Sequence, residues 1–196
     1  ILSTDAATVG NLDLGIINNE NNLIIDLKEH KFDIVYLLGQ DNLEFDKKEE
    51  FIIYQGSHGD KGAECADIIL PGAAYTEQDG YFTNLEGKVQ KAYKASYPPG
   101  EAKEDWLIIN EIAEFMNNRK LFNDRDELES SMLNYLNLQK EKQLNHTNNT
   151  VKEFQNENLK VKVKDYYFSN VIARSSKTMV ECNNSKLNLK STGTEG

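Results

Sequence analysis

The sequence predicts an α/β fold, with short, mainly parallel buried strands, flanking helices and a polar, partly disordered C-terminal segment. Three observations predict it. Residues 32–38 (FDIVYLL), 51–54 (FIIY) and 68–70 (IIL) are short, nearly all-apolar runs that end at Gly39, Gly56 and Pro71-Gly72. Runs of strand length without polar alternation suit strands covered on both faces. Helical spacing recurs beside them, and strands alternating with helices favour a parallel sheet. The apolar residues are concentrated before Met116, whereas the second half is rich in Asn and Lys.

Residues 23–28 have a short helical look, with Leu23, Ile24 and Leu27 on one side. The three strand runs follow. Gly72, Gly80 and Gly87 suit tight turns between short strands. Pro98, Pro99 and Gly100 break the chain, because proline disfavours helix in the residue before it. Residues 101–116 then form the clearest helix. Trp106, Ile109, Ile112, Ala113 and Met116 share one face, and Trp106 is expected to bury a large apolar surface at its start. Glu101, Glu104 and Asp105 suit the positive end of its dipole. A further helix spans residues 125–138, with Leu128, Met132, Tyr135 and Leu136 as its stripe. Residues 139–158 hold too few apolar side chains to offset ordering entropy and read as a solvated linker or weak helix. Val161 and Val163 alternate with Lys162 and Lys164 in an edge-strand pattern, anchored by Tyr166, Tyr167 and Phe168. Ser175 or Ser176 caps a last short helix through Cys182, and the remainder reads as disordered. The expected divisions are an α/β unit at 1–138, a linker at 139–160 and a C-terminal piece at 161–196.

The 196 residues carry a formal net charge of −10, which repels phosphate backbones and argues against nucleic acid. No apolar run approaches the roughly 20 residues of a membrane-spanning helix, so no direct membrane insertion is expected. The sequence opens on Ile1, as expected of a fragment or processed product. Cys65 and Cys182, far apart, favour a reducing compartment over a disulfide framework. Two thiols also fall short of the four ligands of a usual iron–sulfur cluster.

Residues 55–62 (QGSHGDKG) place three glycines after a strand, as phosphate-cradling loops do. Their spacing fits neither GxGxxG nor the P-loop, and a tight turn with positive φ is the simpler reading. A freestanding phosphate- or nucleotide-binding module on this loop is the weakest of the functional readings. Ser57, His58 and Asp60 are triad residue types, but near-adjacent positions rarely meet in triad geometry. His30 and His146 sit in polar surroundings and are expected to be exposed. The three histidines lack metal-ligand spacing. Glu77, Asp79, Glu86, Glu101, Glu104 and Asp105 include possible acid–base pairs, but exposed carboxylates are the default.

Residues 51–116 carry more specific strings: Tyr54-Gln55-Gly56 with His58-Gly59-Asp60, Ala66-Asp67, Ile69-Leu70-Pro71-Gly72-Ala73-Ala74-Tyr75-Thr76-Glu77, Thr83-Asn84 with Glu86-Gly87, Val89-Gln90, and Pro98-Pro99-Gly100 leading to Asp105-Trp106. Leu12-Asp13-Leu14-Gly15 and Arg174-Ser175 through Thr178-Met179 to Cys182 flank them. This collinear set closely resembles the C-terminal region of the large iron–sulfur subunit family of respiratory NADH:quinone oxidoreductase (complex I). The central block also resembles the wider molybdopterin oxidoreductase family.

The resemblance implies a molybdopterin oxidoreductase-like domain whose cofactor has been lost in the complex I branch. Gly80, Thr83, Asn84, Glu86 and Lys88 match an element that frames the pterin, and are expected here as scaffold remnants. No catalytic residue and no metal ligand is expected. In the family, [2Fe–2S] and [4Fe–4S] clusters bound by N-terminal cysteines carry electrons from NADH toward quinone, coupled to proton pumping. This segment is then a cofactor-free, non-catalytic scaffold. Its implied partners are other subunits of the hydrophilic arm. Its implied place is peripheral, on the cytoplasmic face of a bacterial inner membrane or the matrix side of the mitochondrial inner membrane. The alternative is a piece of a molybdopterin-dependent oxidoreductase of formate dehydrogenase type.

Overall fold

The structure, a computed structural model, describes residues 8–16, 23–41, 43, 46–144 and 166–191. In chain order its elements are α1 (Thr8–Asp13), α2 (Leu23–Lys28), β1 (Ile34–Leu38), β2 (Phe51–Gly56), α3 (Lys61–Glu64), β3 (Ile68–Pro71), β4 (Gly80–Thr83), β5 (Val89–Ala92), α4 (Asp105–Asn117), α5 (Arg125–Leu144), α6 (Val171–Ser175) and α7 (Lys177–Ser191). The three apolar runs form one parallel sheet in the order β1-β2-β3. β4 and β5 form a separate antiparallel hairpin.

Side chains alternate across a strand, so the register decides which residues share a face. Val35 lies opposite Ile52 and Leu37 opposite Tyr54. Leu37, Ile52 and Tyr54 form a buried core, with Leu43, Ala63, Cys65 and Ala66 packed against it from the loop after β1 and from around α3. The other face is open. Ile34 is 65% exposed and Leu38 52%, and Tyr36, Phe51 and Ile68 are exposed beside them. Burial on both faces, expected from the apolar runs, is therefore corrected. α3 and its loops cover one face, while cover of the second reaches Gln55, which is fully buried beneath Asp105.

The α4 helix starts at Asp105, four residues after the expected start. Residues 99–102 form a turn closed by the Ala102 amide on the Pro99 carbonyl, and Lys103 then bridges to Gly72, its amide donating to the Pro71 carbonyl and its carbonyl accepting from the Ala73 amide. The buried side of α4 is Ile108, Asn110 and Ala113, and Met116 is exposed. Trp106 is half-buried, its indole donating to Glu104 at 3.0 Å. α5 runs beyond residue 138 to Leu144, with Leu136 buried as its stripe predicts. Near the end, Asn170 caps α6 by accepting from the Ala173 amide, and α7 continues to Ser191, well past Cys182. The expected strand at Val161 and Val163 and most of the linker lie outside the described residues, as does His146.

Candidate functional site

The family strings converge on a buried junction at the carboxyl ends of β2 and β3. The Gln55 amide donates to Asp105 Oδ1 at 2.8 Å and to the Asp105 carbonyl at 3.2 Å. The Gln78 amide donates to Asp105 Oδ2 at 2.8 Å and to the Ala73 carbonyl at 3.2 Å, while the Asp105 backbone amide donates to Gln78 Oε1. The Tyr36 hydroxyl donates to Gln55 Oε1. Burial, and then the Asp105 charge, push the Tyr36 phenol above its ordinary pKa. Gly72 lies against this junction, where a Cβ would come within 2.5 Å of Asp105 Oδ1. Glu77 accepts from the Ala74 amide at 2.9 Å. These hydrogen bonds weld three distant strings together. Buried polar groups demand such partners.

Gly56 and Gly62 serve close approach, whereas a Cβ on Gly59 would meet nothing nearer than 4.0 Å. None of Gly56, Gly59 and Gly62 has positive φ, which corrects the tight-turn expectation. A Cβ on Gly56 would meet the Tyr54 hydroxyl at 2.3 Å, and one on Gly62 the Gln40 carbonyl at 2.5 Å. The Tyr54 hydroxyl donates to the His58 carbonyl at 2.7 Å. Ser57 Oγ and His58 Nδ1 are 3.0 Å apart, but Asp60 is engaged elsewhere and completes no triad. It caps α3 through the Lys61 amide and takes Arg174 Nε at 2.6 Å. The same guanidinium meets Asp41 at 2.9 Å. The Arg174 hydrogen bond holds the Asp60 carboxyl below its ordinary pKa. Gly56, Ser57, His58, Gly72, Glu77 and Glu101 line a cavity of about 370 Å³ beside this loop.

The matched pterin element forms the β4–β5 hairpin and its turn. Asn84 Oδ1 accepts from the Glu86 and Lys88 amides at 3.0 and 2.9 Å, and Gly87 takes a φ of +80°. Thr83 faces Gly10 of α1. Thr83 and Asn84 border a cavity of about 440 Å³ whose other walls include Val9, Leu14, Met132 and Leu136. Glu86 and Lys88 are exposed, and Gly80 begins β4. Of the five residues, only Thr83 and Asn84 line this cavity. Among the described residues no cation lines the apolar cavity, and a pterin bearing phosphate would need cations and donors there. The element does not fit that cofactor.

Several carboxylates expected as solvated charges are structural partners. Arg125 pairs with Glu104, donates to the Asp79 carbonyl and reaches Glu129 at 3.0 Å. Glu104 also takes Lys94 at 3.0 Å. Lys91 at 2.7 Å and the Tyr81 hydroxyl at 2.9 Å converge on Glu129. Lys91 foremost, with Arg125 and Tyr81, holds the Glu129 carboxyl down at about 2. His30 pairs with the buried Glu50, contrary to its expected exposure. Among the described residues no cluster of three or more His, Cys, Asp or Glu could hold a metal ion. Sequence reasoning did not single out Asp41, Gln78 or Arg125. Only Asp41 carried a signal, its place just past a strand's carboxyl end, where open α/β sheets meet ligands.

Residues 1–115 match the family model described as molybdopterin oxidoreductase, and residues 127–182 match that of the C-terminal region of the NADH-ubiquinone oxidoreductase G subunit. Among curated relatives, the NADH-ubiquinone oxidoreductase 75 kDa subunit of Reclinomonas americana is 38% identical over 193 residues, covering 93% of this chain and 28% of the relative. The G subunit of NADH-quinone oxidoreductase from Rickettsia bellii is 38% identical over 199 residues, covering 98% and 28%. The mitochondrial NADH-ubiquinone oxidoreductase 78 kDa subunit of Candida albicans is 37% identical over 200 residues, covering 93% and 27%. The chain thus spans under a third of the length of these relatives. No described helix is long and apolar enough to cross a membrane.

Proposed function

From the premise that the chain belongs to the molybdopterin oxidoreductase family, we propose that it is a scaffold segment of the large iron–sulfur subunit of NADH:quinone oxidoreductase. In this reading it carries no redox centre. Clusters elsewhere in the subunit conduct electrons from NADH toward quinone, and this segment holds the α/β domain together and contacts other hydrophilic-arm subunits. Its place is peripheral, on the side of the membrane where NADH is oxidised. The proposed divisions at residues 138 and 160 belong to the same reading. One observation carries it. Gln55 and Gln78, within and beside the strings that mark the family, both bond to Asp105 in a partly buried junction.

Metal analysis of the purified full-length polypeptide that contains these residues tests it. Iron without molybdenum or tungsten is the expected result. Stoichiometric molybdenum or tungsten would instead support the alternative, a piece of a molybdopterin-dependent oxidoreductase of formate dehydrogenase type. The 196-residue chain, treated anaerobically with iron and sulfide, is expected to show no iron–sulfur absorbance.

A further inference from the structure

Open α/β sheets receive ligands just outside the carboxyl ends of their strands. In this chain those ends are tied to the C-terminal segment. Asp41 stands three residues beyond β1 and Asp60 four beyond β2. Arg174, on α6, reaches both: Nε to Asp60 at 2.6 Å and Nη2 to Asp41 at 2.9 Å, with Nη1 donating to the Phe168 carbonyl at 3.4 Å. All three charged side chains are mostly buried, between 19% and 23% exposed. Beneath them the Gly62 amide donates to the Asp41 carbonyl, and the Tyr54 phenol lies within the field of all three.

We infer that Arg174 is a latch that fastens the C-terminal helix pair α6–α7 across the carboxyl ends of β1 and β2, so that the chain's own segment takes the position where this type of sheet would admit a ligand. The inference rests on the scaffold reading and deepens it. A planar guanidinium makes forked contacts that a lysine cannot reproduce. One guanidinium between two carboxylates also leaves a net negative charge in this cluster, which disfavours a phosphate group at this point. Asp60 serves twice, as cap of α3 and as latch partner. Asp41 is therefore the cleaner position for a test.

Hydrogen exchange on the full chain, followed by mass spectrometry, reads the latch directly. In Arg174→Gln, exchange is expected to quicken by about tenfold, both in residues 170–176 and at the amides around Gly62 in α3. Asp41→Asn is expected to reproduce the effect more weakly with the α3 cap intact, and Arg174→Lys to recover only part of the protection. With millimolar ADP as probe, the wild-type chain is expected to show no rise in thermal midpoint. Unchanged exchange near Gly62 in both Arg174→Gln and Asp41→Asn overturns the latch, and a clear ADP-dependent midpoint rise in the wild type overturns the filled position. Failure of the scaffold reading would appear separately, as molybdenum or tungsten in the full-length polypeptide, a result that leaves the exchange readout untouched.

Discussion

Asp105 shows how a residue's chemistry can be legible while its role is not. The sequence marks it as an acidic residue at a helix start, where the dipole favours it. Its partners Gln55 and Gln78 lie 50 and 27 residues away, and nothing local announces them. Each Asp105 oxygen accepts from a different amide donor. Asp105→Asn would set an NH₂ group against one of those donors, with almost no change in volume. We expect a loss of about 1–3 kcal/mol in urea unfolding; an unchanged midpoint would remove the junction from the structural account. Gly72→Ala is expected to be costly for the same reason, since its Cβ would lie 2.5 Å from Asp105 Oδ1. Glu50 and Glu129 contribute to the acid response, alongside Asp60, Asp67 and Glu104, which are also held below their ordinary values. Backbone amides, that of Lys48 first, hold Glu50 down at about 2, with His30 assisting, and the Lys91 group holds Glu129 there, against an ordinary value of 4.5. A carboxyl depressed on folding contributes stability that is complete above its unfolded pKa and is lost as pH falls through the folded one. Stability is therefore expected to fall between about pH 5 and pH 2. Thermal melts of Glu50→Gln and Glu129→Gln should show a flatter slope across that window, and a slope equal to the wild type would exclude these groups.

At the scale of elements, strand positions were legible because their apolar runs end at glycine or proline, and the stripe of residues 125–138 was legible from periodicity at Leu128, Met132 and Leu136 but not at Tyr135, which is exposed. Boundaries were less so. The α4 start shifted because a turn at residues 99–102 leads into Lys103, which bridges to Gly72 through non-local bonds that outweigh local helix preference. The β4–β5 hairpin was foreseen only as a set of turns, since its strands are four residues each and carry no strong alternation. Its turn also separates a scaffold role from a ligand-binding one. Asn84 Oδ1 accepts two backbone amides, whereas the exposed Glu86 and Lys88 side chains lie at the turn's rim. Asn84→Ala is expected to cost about 1 kcal/mol and to speed exchange of the Lys88 amide. Glu86→Ala and Lys88→Ala should each stay within about 0.5 kcal/mol. A larger loss at Glu86 or Lys88 than at Asn84 would contradict the turn-based reading.

At the scale of the molecule, the two faces of the parallel sheet are unequal, and the sequence could not show it. A run such as IVYLL reads as buried on both sides because every side chain is apolar. Which side is covered depends on crossovers that the run does not encode. Here α3 and the loop after β1 cover the side holding Leu37, Ile52 and Tyr54, and the side holding Ile34, Leu38 and Phe51 faces outward. Contiguous exposed apolar area of this kind promotes association, and the outer edge of β1 has no strand beside it among the described residues. The isolated 196-residue chain is accordingly expected to bind a hydrophobic dye and to self-associate as concentration rises. Ile34→Lys with Leu38→Lys tests the cause. Both side chains are more than half exposed, so the double variant should lower light scattering and dye binding while its unfolding midpoint stays within about 0.5 kcal/mol of the parent. Leu37→Ala, on the covered side of the same strand, should instead cost about 2–5 kcal/mol through lost burial and the cavity left behind. If the two lysines destabilise as much as Leu37→Ala, the outward face is covered in solution and the asymmetry of the sheet is wrong. If they change neither scattering nor stability, association proceeds through another surface, with the exposed Phe115 and Met116 on α4 as the next positions to vary.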